Sequence, residues 1–382
     1  MQWTSIRWIP GGDNILSSPL RKDASELKAI VLCAGKGTRL RPLTDSIAKP
    51  LVPIANRPVL FYVLDQIVQV GIKEIGIIVS PENKHQISNA VSRAGQWPCD
   101  IHYIVQKEAG GLAHAVTVAE NFLGSCRFMM FLGDNVIQGN LSRYAEQFCN
   151  DTSLALILLK EVDDPRLFGV AELGSHGKVI RLVEKPREPK SNLAMVGIYF
   201  FSPDIHSAIK QIKPSGRGEL EITDAIQWLL DQGKEVNSQT VCGWWLDTGK
   251  KDDLLAANRI VLEEFAGRDI RGQVDAASTI TGRVEIGSET QIINSIVTGP
   301  VSIAGNCIIK NATVKPYTSI NDGCYVDNAS LENTIVLGNV SIRHILYLKD
   351  SIIGNHTEIL GKADNTRQIK VFLGSYSKLE ID

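Results

Sequence analysis

A glycine-bearing loop near the start of the chain has the composition of a phosphate-binding loop. It runs Ala34-Gly-Lys-Gly-Thr-Arg-Leu-Arg-Pro-Leu-Thr44, so backbone N–H groups at its two glycines could approach a phosphate or a base. The loop lacks the spacing of a GxxxxGK[ST] motif. It also does not match GxGxxG, because Leu40 stands where the third glycine would be. Arg39 and the later Lys49 could hold different phosphates of one nucleotide. A tight turn without a ligand remains the alternative.

Two aspartates, Asp134 and Asp247, could bind a divalent cation. Each follows a strand-like stretch and lies beside glycine or threonine. Mg²⁺ typically takes one or two protein carboxylates and completes its octahedron with phosphate oxygens and water. The alternative is that Asp134 caps a following helix and Asp247 caps a helix beginning near Lys250, because aspartate favours helix N-termini.

An alternation of strand and helix patterns must position these residues. It begins with the strand-like Leu27–Leu32. The elements that follow are a helix carrying Leu60, Val63, Leu64, Ile67 and Val68 on one face, strand Glu74–Val79, helix Lys84–Ala94, strand Ile101–Val105, helix Leu112–Phe122 and strand Arg127–Leu132. This order predicts a Rossmann-like α/β domain with a mostly parallel sheet. Ligands bind at the carboxyl ends of such strands, so Cys33–Arg39, Gln106–Leu112 and Gly133–Asn135 should converge there.

Length and composition limit the class of protein. The chain has 382 residues, which exceeds one domain of about 100–200 residues, and we expect two domains. A net charge of −2 gives no basic field for nucleic acid or an anionic membrane. The seven cysteines form no CxxC pair, a pattern typical of a cytoplasmic protein without a disulfide framework. Residues 1–26 contain no signal-peptide segment, and we interpret them as a loose extension.

The pattern changes after Arg268, where helical periodicity ends. Aliphatic residues then recur every six positions in three runs, with a break in phase between one run and the next: Ile280, Ile286, Ile292, then Ile308, Val314, Ile320, Val326, then Val336, Ile342 and Leu348. A hexapeptide period is typical of a parallel β-helix, in which each coil stacks its aliphatic residues on the previous coil. Lys250–Phe265 would be a connecting helix. An antiparallel sandwich with chance spacing is the alternative.

The predicted β-helix has two consequences. A short stack of coils leaves ends and faces that favour burial against a neighbour, so we expect a homo-oligomer. We also expect removal of the residues after Arg268 to leave the chemistry of the first domain in place.

The ordered motifs of the chain resemble those of the sugar-phosphate nucleotidyltransferases. The matching stretches are Leu32–Thr44, Lys49–Pro53, Gly133–Asn135, Phe168–Glu172, Val183–Pro186, Val196–Phe200, Arg217–Asp224 and Trp244–Gly249. With the hexapeptide tail, they look like the long-form glucose-1-phosphate thymidylyltransferases. The resemblance implies a nucleotidyltransferase domain over residues 27–268 and a left-handed parallel β-helix over residues 269–382.

The resemblance also implies a reaction in which a sugar 1-phosphate oxygen attacks the α-phosphorus of a nucleoside triphosphate and pyrophosphate leaves. Protein groups then act by positioning and charge neutralisation. Arg39 would neutralise the pyrophosphate, Lys49 would stabilise the α-phosphate, and Lys185 would hold the sugar phosphate. Asp134 and Asp247 would bind Mg²⁺.

Further site residues follow from the same resemblance. The positions implied to contact the nucleotide are Leu32, Ala34, Gly35, Gly37, Thr38, Gln106 and Gly111. The positions implied to contact the sugar are Gly169, Glu184, Lys185 and Gly197. Trp244 and Trp245 are interpreted as packing residues, and His114 as a helix-start or core histidine.

Two departures from the thymidylyltransferase pattern leave the base open. Pro50 follows the loop lysine where that group usually has glutamine, and Ala109-Gly-Gly111 replaces Pro-Leu-Gly. With dTTP and glucose 1-phosphate as the favoured substrates, a UTP- or GTP-dependent enzyme is the alternative. A second alternative is a bifunctional protein whose β-helix acetylates an amino sugar, with His344 or His356 as base. A third, a silent regulatory subunit, is opposed by the retained charged residues.

Overall fold

The computed structural model describes residues 27–362 and 368–381, and the predicted extension at 1–26 lies outside them. Contacts divide the described residues into two compact units. The sheet unit comprises residues 27–35 and 62–246, and the coil unit comprises residues 36–61, 247–362 and 368–381. Within the described residues, no helix is both long and apolar enough to cross a membrane.

Short strands and helices alternate from Lys28 to Phe265. The strands are β1 Lys28–Leu32, β2 Pro53–Ile54, β3 Arg57–Pro58, β4 Glu74–Val79, β5 Asp100–Val105, β6 Phe128–Leu132, β7 Asn135–Ile137, β8 Ala155–Glu161, β9 Gly169–Leu173, β10 Val179–Glu184, β11 Leu193–Phe201, β12 Val236–Thr240 and β13 Trp245–Asp247. The helices are α1 Val59–Val70, α2 Lys84–Ala94, α3 Leu112–Val118, α4 Glu120–Leu123, α5 Ser142–Cys149, α6 Ile205–Ile209, α7 Ile222–Asp231 and α8 Lys251–Phe265. The predicted bounds of β4 and α2 are confirmed, whereas the helix predicted over Leu112–Phe122 is divided at Ala119.

Nine strands of the described sheet unit form one Rossmann-like sheet, whose main path is β10-β9-β11-β6-β1-β4-β5. Strands β6, β1, β4 and β5 are parallel, and Ile30 of β1 is in register with Met130 of β6 and Gly76 of β4. Strands β9, β10 and β11 pair antiparallel. The strand directions follow from the connections between strands. Parallel neighbours need a long crossover connection, whereas β9 and β10 are joined by a short turn and can pair antiparallel.

The C-terminal strands of the coil unit form a left-handed parallel β-helix. They are β14 Asp269–Ile270, β15 Gln273–Val274, β16 Thr279–Thr281, β17 Val284–Ile286, β18 Gln291–Ile293, β19 Ile296–Thr298, β20 Val301–Ile303, β21 Ile308–Lys310, β22 Thr313–Val314, β23 Thr318–Ile320, β24 Tyr325–Glu332, β25 Ile335–Val336, β26 Ser341–Lys349, β27 Ile352–Ile353, β28 Glu358–Gly361, β29 Gln368–Ile369, β30 Phe372–Leu373 and β31 Lys378–Ile381. Every pair among them is parallel in the described ladders, as the hexapeptide period predicts.

Aliphatic side chains stack in columns inside this β-helix. One column runs Ile286, Ile303, Ile320, Val336 and Ile353. The prediction that Ile308 belongs to the inward series is wrong, because Ile308 is 37% exposed while Ile309 is fully buried. Some repeats are one residue short of six, so an unbroken six-residue count drifts out of phase.

The two histidines considered as acetyltransferase bases lie at corners of the coils. His344 has φ +55° and His356 has φ +56°, the backbone conformation that asparagines adopt at equivalent corners. The Asn328 amide contacts Nδ1 of His344 at 3.1 Å, and the His356 ring stacks on Tyr376. Both histidine side chains therefore take part in contacts between corner residues of the coils.

Candidate active site

The loop Lys36–Leu51 is folded by short 3₁₀ turns around Lys49. Gly37 has φ +65°, and a Cβ atom there would lie 3.0 Å from Cβ of Lys49 and 3.0 Å from Cγ2 of Thr44. Thr44 donates its hydroxyl to the Gly37 carbonyl at 2.8 Å. The glycine therefore allows the Lys49 stem to pack against the backbone next to Thr38 and Arg39, both exposed.

Arg39 lies beside acidic residues of the coil unit. A Cβ atom added at Gly249 would lie 3.2 Å from Nη2 of Arg39 and 3.2 Å from Oδ1 of Asp247. Burial raises the pKa of Asp253 on α8, and the positive charges of Lys250 and Arg39 oppose that rise. Asp253 was not among the predicted site residues, and its position near Arg39 comes only from the fold.

The sheet unit brings its predicted loops to the carboxyl ends of β1, β5 and β6. The amide of Gly133 donates to the Leu32 carbonyl at 3.0 Å, and a Cβ atom at Gly133 would lie 2.5 Å from Sγ of Cys33. Leu32 and Ala34 are partly buried against the core, whereas Gly35 has open space around it. Close approach of these two loops therefore requires glycine at position 133.

Asp134 is held by a chain of side-chain hydrogen bonds. Nε1 of Trp245 donates to Oδ1 of Asn135 at 2.7 Å, and Nδ2 of Asn135 donates to Oδ1 of Asp134 at 2.9 Å. Gly197, with φ +70°, faces the same asparagine, since a Cβ atom there would lie 3.0 Å from Asn135 Oδ1. Burial raises the pKa of the Cys33 thiol, and the Asp134 carboxylate raises it further. Trp245 therefore fixes the orientation of the Asn135 amide through its indole N–H.

Gln106 and His114 lie together at the end of β5. Nε2 of Gln106 is 3.0 Å from Nδ1 of His114 and 3.3 Å from the Gly111 carbonyl oxygen, which it can donate to. A Cβ atom at Gly110 would lie 2.6 Å from Nδ1 of His114, so glycine at this position makes room for the ring. Gly111, with φ +95°, packs against the Leu220 carbonyl. The unusual Ala109-Gly-Gly111 sequence therefore accommodates the His114 contact with Gln106.

A cavity of about 710 Å³ in the sheet unit is lined by β10, the turn before α7, and α7 itself. Glu184 and Lys185 lie at its wall, with Nζ of Lys185 3.3 Å from Oε1 of Glu184. Thr223 donates its hydroxyl to Oε2 of Glu184 at 2.6 Å. Gly169 lies behind this carboxylate, since a Cβ atom there would be 3.1 Å from the same Oε2 atom. Gly169, Glu184 and Lys185 therefore form one group.

Arg217 adds a second basic group to the cavity. Its Nη2 atom lies 2.8 Å from Oε2 of Glu221 and 3.2 Å from Oε1 of Glu184. Burial raises the pKa of Asp224, and the charges of Glu221 and Glu184 raise it further. Arg217 was not among the site residues predicted from the sequence, and the fold brings its guanidinium to the same cavity wall as Lys185.

The two aspartates proposed as metal ligands do not serve as helix caps. Asp134 is followed by β7 and not by a helix, and the N-cap of α8 is Lys250. The capping alternative is therefore wrong for both. Among the residues that the structure describes, no group of three or more His, Cys, Asp or Glu could hold a metal ion. Two carboxylates are a donor set that fits Mg²⁺ completed by phosphate and water.

Known proteins are similar to this chain over most of its length. The model of the family described as "Nucleotidyl transferase" matches residues 28–264. A glucose-1-phosphate thymidylyltransferase of Streptomyces antibioticus is 42% identical over 356 residues, covering 93% of this chain and 99% of the relative. A UTP–glucose-1-phosphate uridylyltransferase of Haloferax volcanii, AglF, is 36% identical and covers 62% of this chain and 98% of its own length.

A solved structure has a similar fold over more than half of this chain. The crystal structure of a Bacillus anthracis protein in complex with a sucrose has a TM-score of 0.58 and 38% identity. It covers 61% of this chain and 94% of its own chain. With the family match over more than half of the chain and the 42% identity across 93% of it, the membership predicted from the motifs is confirmed. The chain belongs to the nucleotidyl transferase family, among the sugar-phosphate nucleotidyltransferases.

Proposed function

We propose that the protein transfers a thymidylyl group from dTTP to glucose 1-phosphate and releases pyrophosphate. The observation that carries the proposal is the 42% identity to a glucose-1-phosphate thymidylyltransferase across 93% of this chain and 99% of that relative. The match extends past residue 264, where the family model ends, and so includes part of the β-helix.

In the proposed reaction, a phosphate oxygen of glucose 1-phosphate forms a bond to the α-phosphorus. The bond from the α-phosphorus to the oxygen that bridges to the β-phosphorus breaks, and the electron pair leaves with pyrophosphate. A phosphate monoester near neutral pH is already a nucleophile, so no protein base is required. The protein groups act by orientation and by neutralising charge.

The proposal gives each charged residue one task. Arg39 neutralises charge on the leaving pyrophosphate, and Lys49 stabilises the α-phosphate. Lys185 holds the sugar phosphate, and Arg217, on the same cavity wall, is suited to the same anion. Glu184 accepts hydrogen bonds from sugar hydroxyls, with its carboxylate oriented by Thr223.

Asp134 and Asp247 would hold Mg²⁺, which when bound neutralises phosphate charge and orients the triphosphate. The hydrogen bond from Asn135 supports a fixed direction for the Asp134 carboxylate. Gln106 would recognise the base, because its amide both donates and accepts. Its contact with His114 supports a fixed orientation for that amide.

The test is pyrophosphate release from dTTP, UTP, GTP and ATP, each with glucose 1-phosphate and Mg²⁺, followed by mass analysis of the nucleotide sugar. We expect the highest kcat/KM with dTTP. The similarity to AglF favours UTP as the second candidate, and a higher kcat/KM with UTP would replace the thymidylyl assignment. Acetyl-CoA consumption with glucosamine 1-phosphate tests a second activity of the β-helix, and we expect none.

Homo-oligomer formation and the division of the chain at Arg268 remain proposals. Eight large apolar side chains of the described residues are exposed, and those on the coil strands include Ile296, Leu346 and Leu360. A contiguous patch formed by such residues would favour association with a neighbour. Light scattering of the full chain distinguishes an oligomer from a monomer.

A further inference from the structure

We propose that the β-helix positions the loop Lys36–Leu51 for nucleotidyl transfer, through contacts made at Asn56, Asn258 and Gly374. The inference rests on the proposed function only for the role given to Arg39 and Lys49. It reverses the expectation that the residues after Arg268 can be removed without affecting the chemistry.

The first attachment is at Asn56, in the tight turn between β2 and β3. Asn56 has φ +63° and is only 3% exposed. Its Nδ2 atom donates to the carbonyl oxygens of Ser302 and Ile320, both at 3.0 Å, and lies 3.2 Å from Oγ of Ser302. Ser302 and Ile320 lie on β20 and β23, which are neighbours in one face of the β-helix. One amide therefore ties the turn to two successive coils.

The second attachment is at Asn258, in the middle of α8 and completely buried. Its Oδ1 atom accepts from the amide of Ala55 at 2.7 Å and from the hydroxyl of Ser319 at 2.9 Å. Its Nδ2 atom donates to the Tyr317 carbonyl at 2.9 Å. The same side chain thus binds the β2–β3 turn on one side and the β-helix on the other. Removing one partner of such a buried hydrogen bond leaves an unsatisfied polar group and destabilises the protein.

A third attachment lies at the C-terminal coil. Ser46 donates its hydroxyl to Oγ of Ser375 at 2.7 Å. A Cβ atom at Gly374 would lie 3.0 Å from the Pro42 carbonyl oxygen and 3.1 Å from its Cβ. The loop backbone therefore passes directly over this glycine.

Lys49 lies between these attachments in the chain, after Pro42 and Ser46 and before Ala55 and Asn56. Arg39 lies three positions before Pro42. A displacement of a few tenths of an ångström at Pro42 would therefore reach both basic residues through a short, turn-rich backbone. A misplacement of about 1 Å can lower a rate by about 10²-fold, so a shift of part of that size would give a measurable loss.

The substitution Gly374→Ala tests the third attachment in the full-length protein, with Gly305→Ala as the matched control. A Cβ atom at Gly305 would lie 3.0 Å from the Ser288 carbonyl oxygen, an equally close contact within the β-helix that does not involve the loop.

Asn56→Gly removes the amide at a left-handed position that glycine tolerates. Its matched control is Asn311→Gly, at a corner with φ +48°.

We expect Gly374→Ala and Asn56→Gly to lower kcat/KM for dTTP by about tenfold or more, with the KM for glucose 1-phosphate within about twofold of wild type. Both controls should stay within about twofold of wild type on every parameter. Equal effects of test and control variants, or equal losses for the two substrates, would overturn the proposal.

Hydrogen exchange gives a readout that does not depend on activity. The amides of Leu40 and Leu51 in the loop, and of Val52 directly after it, donate to the carbonyl oxygens of Gly37, Ala48 and Lys49. Their exchange should accelerate in Gly374→Ala and in Asn56→Gly, and not in the controls. If the wild type releases no pyrophosphate with any triphosphate, the proposed function fails while this exchange still tests the positioning. Unchanged exchange of these amides in both test variants would overturn the positioning.

Discussion

The hydroxyl of Thr223 donates to Oε2 of Glu184 at 2.6 Å, while Oε1 of the same carboxylate faces Arg217 at 3.2 Å and Lys185 at 3.3 Å. Thr223 is completely buried. The carboxylate is therefore oriented from inside the core by a neutral donor and from the cavity by two cations. Because the interior contact is buried, it keeps Glu184 in place whether or not the cations turn toward a phosphate.

Thr223→Val should raise the KM for glucose 1-phosphate without an equal change for dTTP. Valine keeps the shape but removes a hydrogen bond to a charged group, which is typically worth about 1.5–3 kcal/mol, or about 10- to 150-fold. Steady-state kinetics with each substrate varied in turn measures the effect. Thr223→Ser keeps the hydroxyl and should retain most of the affinity, and a serine variant as damaged as the valine variant would contradict the assignment.

Arg39→Ala and Lys49→Ala should each lower turnover far more than they weaken glucose 1-phosphate binding. Both are proposed to act on charge around the reacting phosphates, where loss of one contact typically costs ~3–4 kcal/mol, or ~10²–10³ in rate. Arg41→Ala is the control, since Arg41 is in the same loop and pairs with Asp45 at 3.1 Å on the surface. Near-normal turnover of either test variant would remove its assigned role.

Asp134→Asn and Asp247→Asn should each severely lower turnover and raise the Mg²⁺ concentration needed for half-maximal rate. The substitution keeps the side-chain size but removes the charge that a metal ion requires. The double variant should be scarcely worse than the more damaged single variant, as expected of residues that act as a unit. Asp252→Asn, at a strongly exposed position on α8, is the control. Wild-type rates of both single variants at low Mg²⁺ would reject the metal assignment.

His206 should make the sheet unit less stable in mild acid. Burial lowers the pKa of His206 from its usual 6.5, with Glu120 opposing this and Lys210 adding to it, and within the described residues neither ring nitrogen has a hydrogen-bond partner. The unfolded chain therefore takes up this proton at higher pH than the folded chain does. The stabilisation is fully present above pH 6.5 and is lost as pH falls through the lowered, folded-state value.

His206→Phe should remove that part of the pH dependence, because phenylalanine can pack beside Phe128 in the space of the imidazole. Urea unfolding between about pH 5 and pH 7.5, around the ordinary histidine pKa, measures it. His85→Phe, at an exposed site on α2, serves as the control. Identical pH slopes for the wild type and His206→Phe would show that His206 does not contribute.

Local sequence determined the elements of this protein and the motifs they carry. The strand Glu74–Val79 and the helix Lys84–Ala94 have their predicted bounds because each has a clear apolar period and is followed closely by a proline- or glycine-containing turn. The β-helix was predictable for the same reason, since aliphatic residues recur at a spacing close to six along successive coils. A register error at Ile308 arose because the repeat length varies, and only stacking on the next coil decides which residue points inward.

Contacts between distant residues were decided by the tertiary structure alone. The sequence predicted Lys49 and Arg39 as a pair of phosphate-binding residues. It contained no signal that their loop packs on Gly374, or that the β2–β3 turn after the loop packs on Ser302 and Ile320. Those contacts join residues more than two hundred positions apart, and asparagine or glycine at either end has many other uses. A periodic pattern indicates local burial, whereas the pairing of a side chain with a remote carbonyl depends on how segments distant in sequence pack against each other. For that reason a phosphate-binding role of the loop could be predicted from its own residues, whereas its contacts with the β-helix could not.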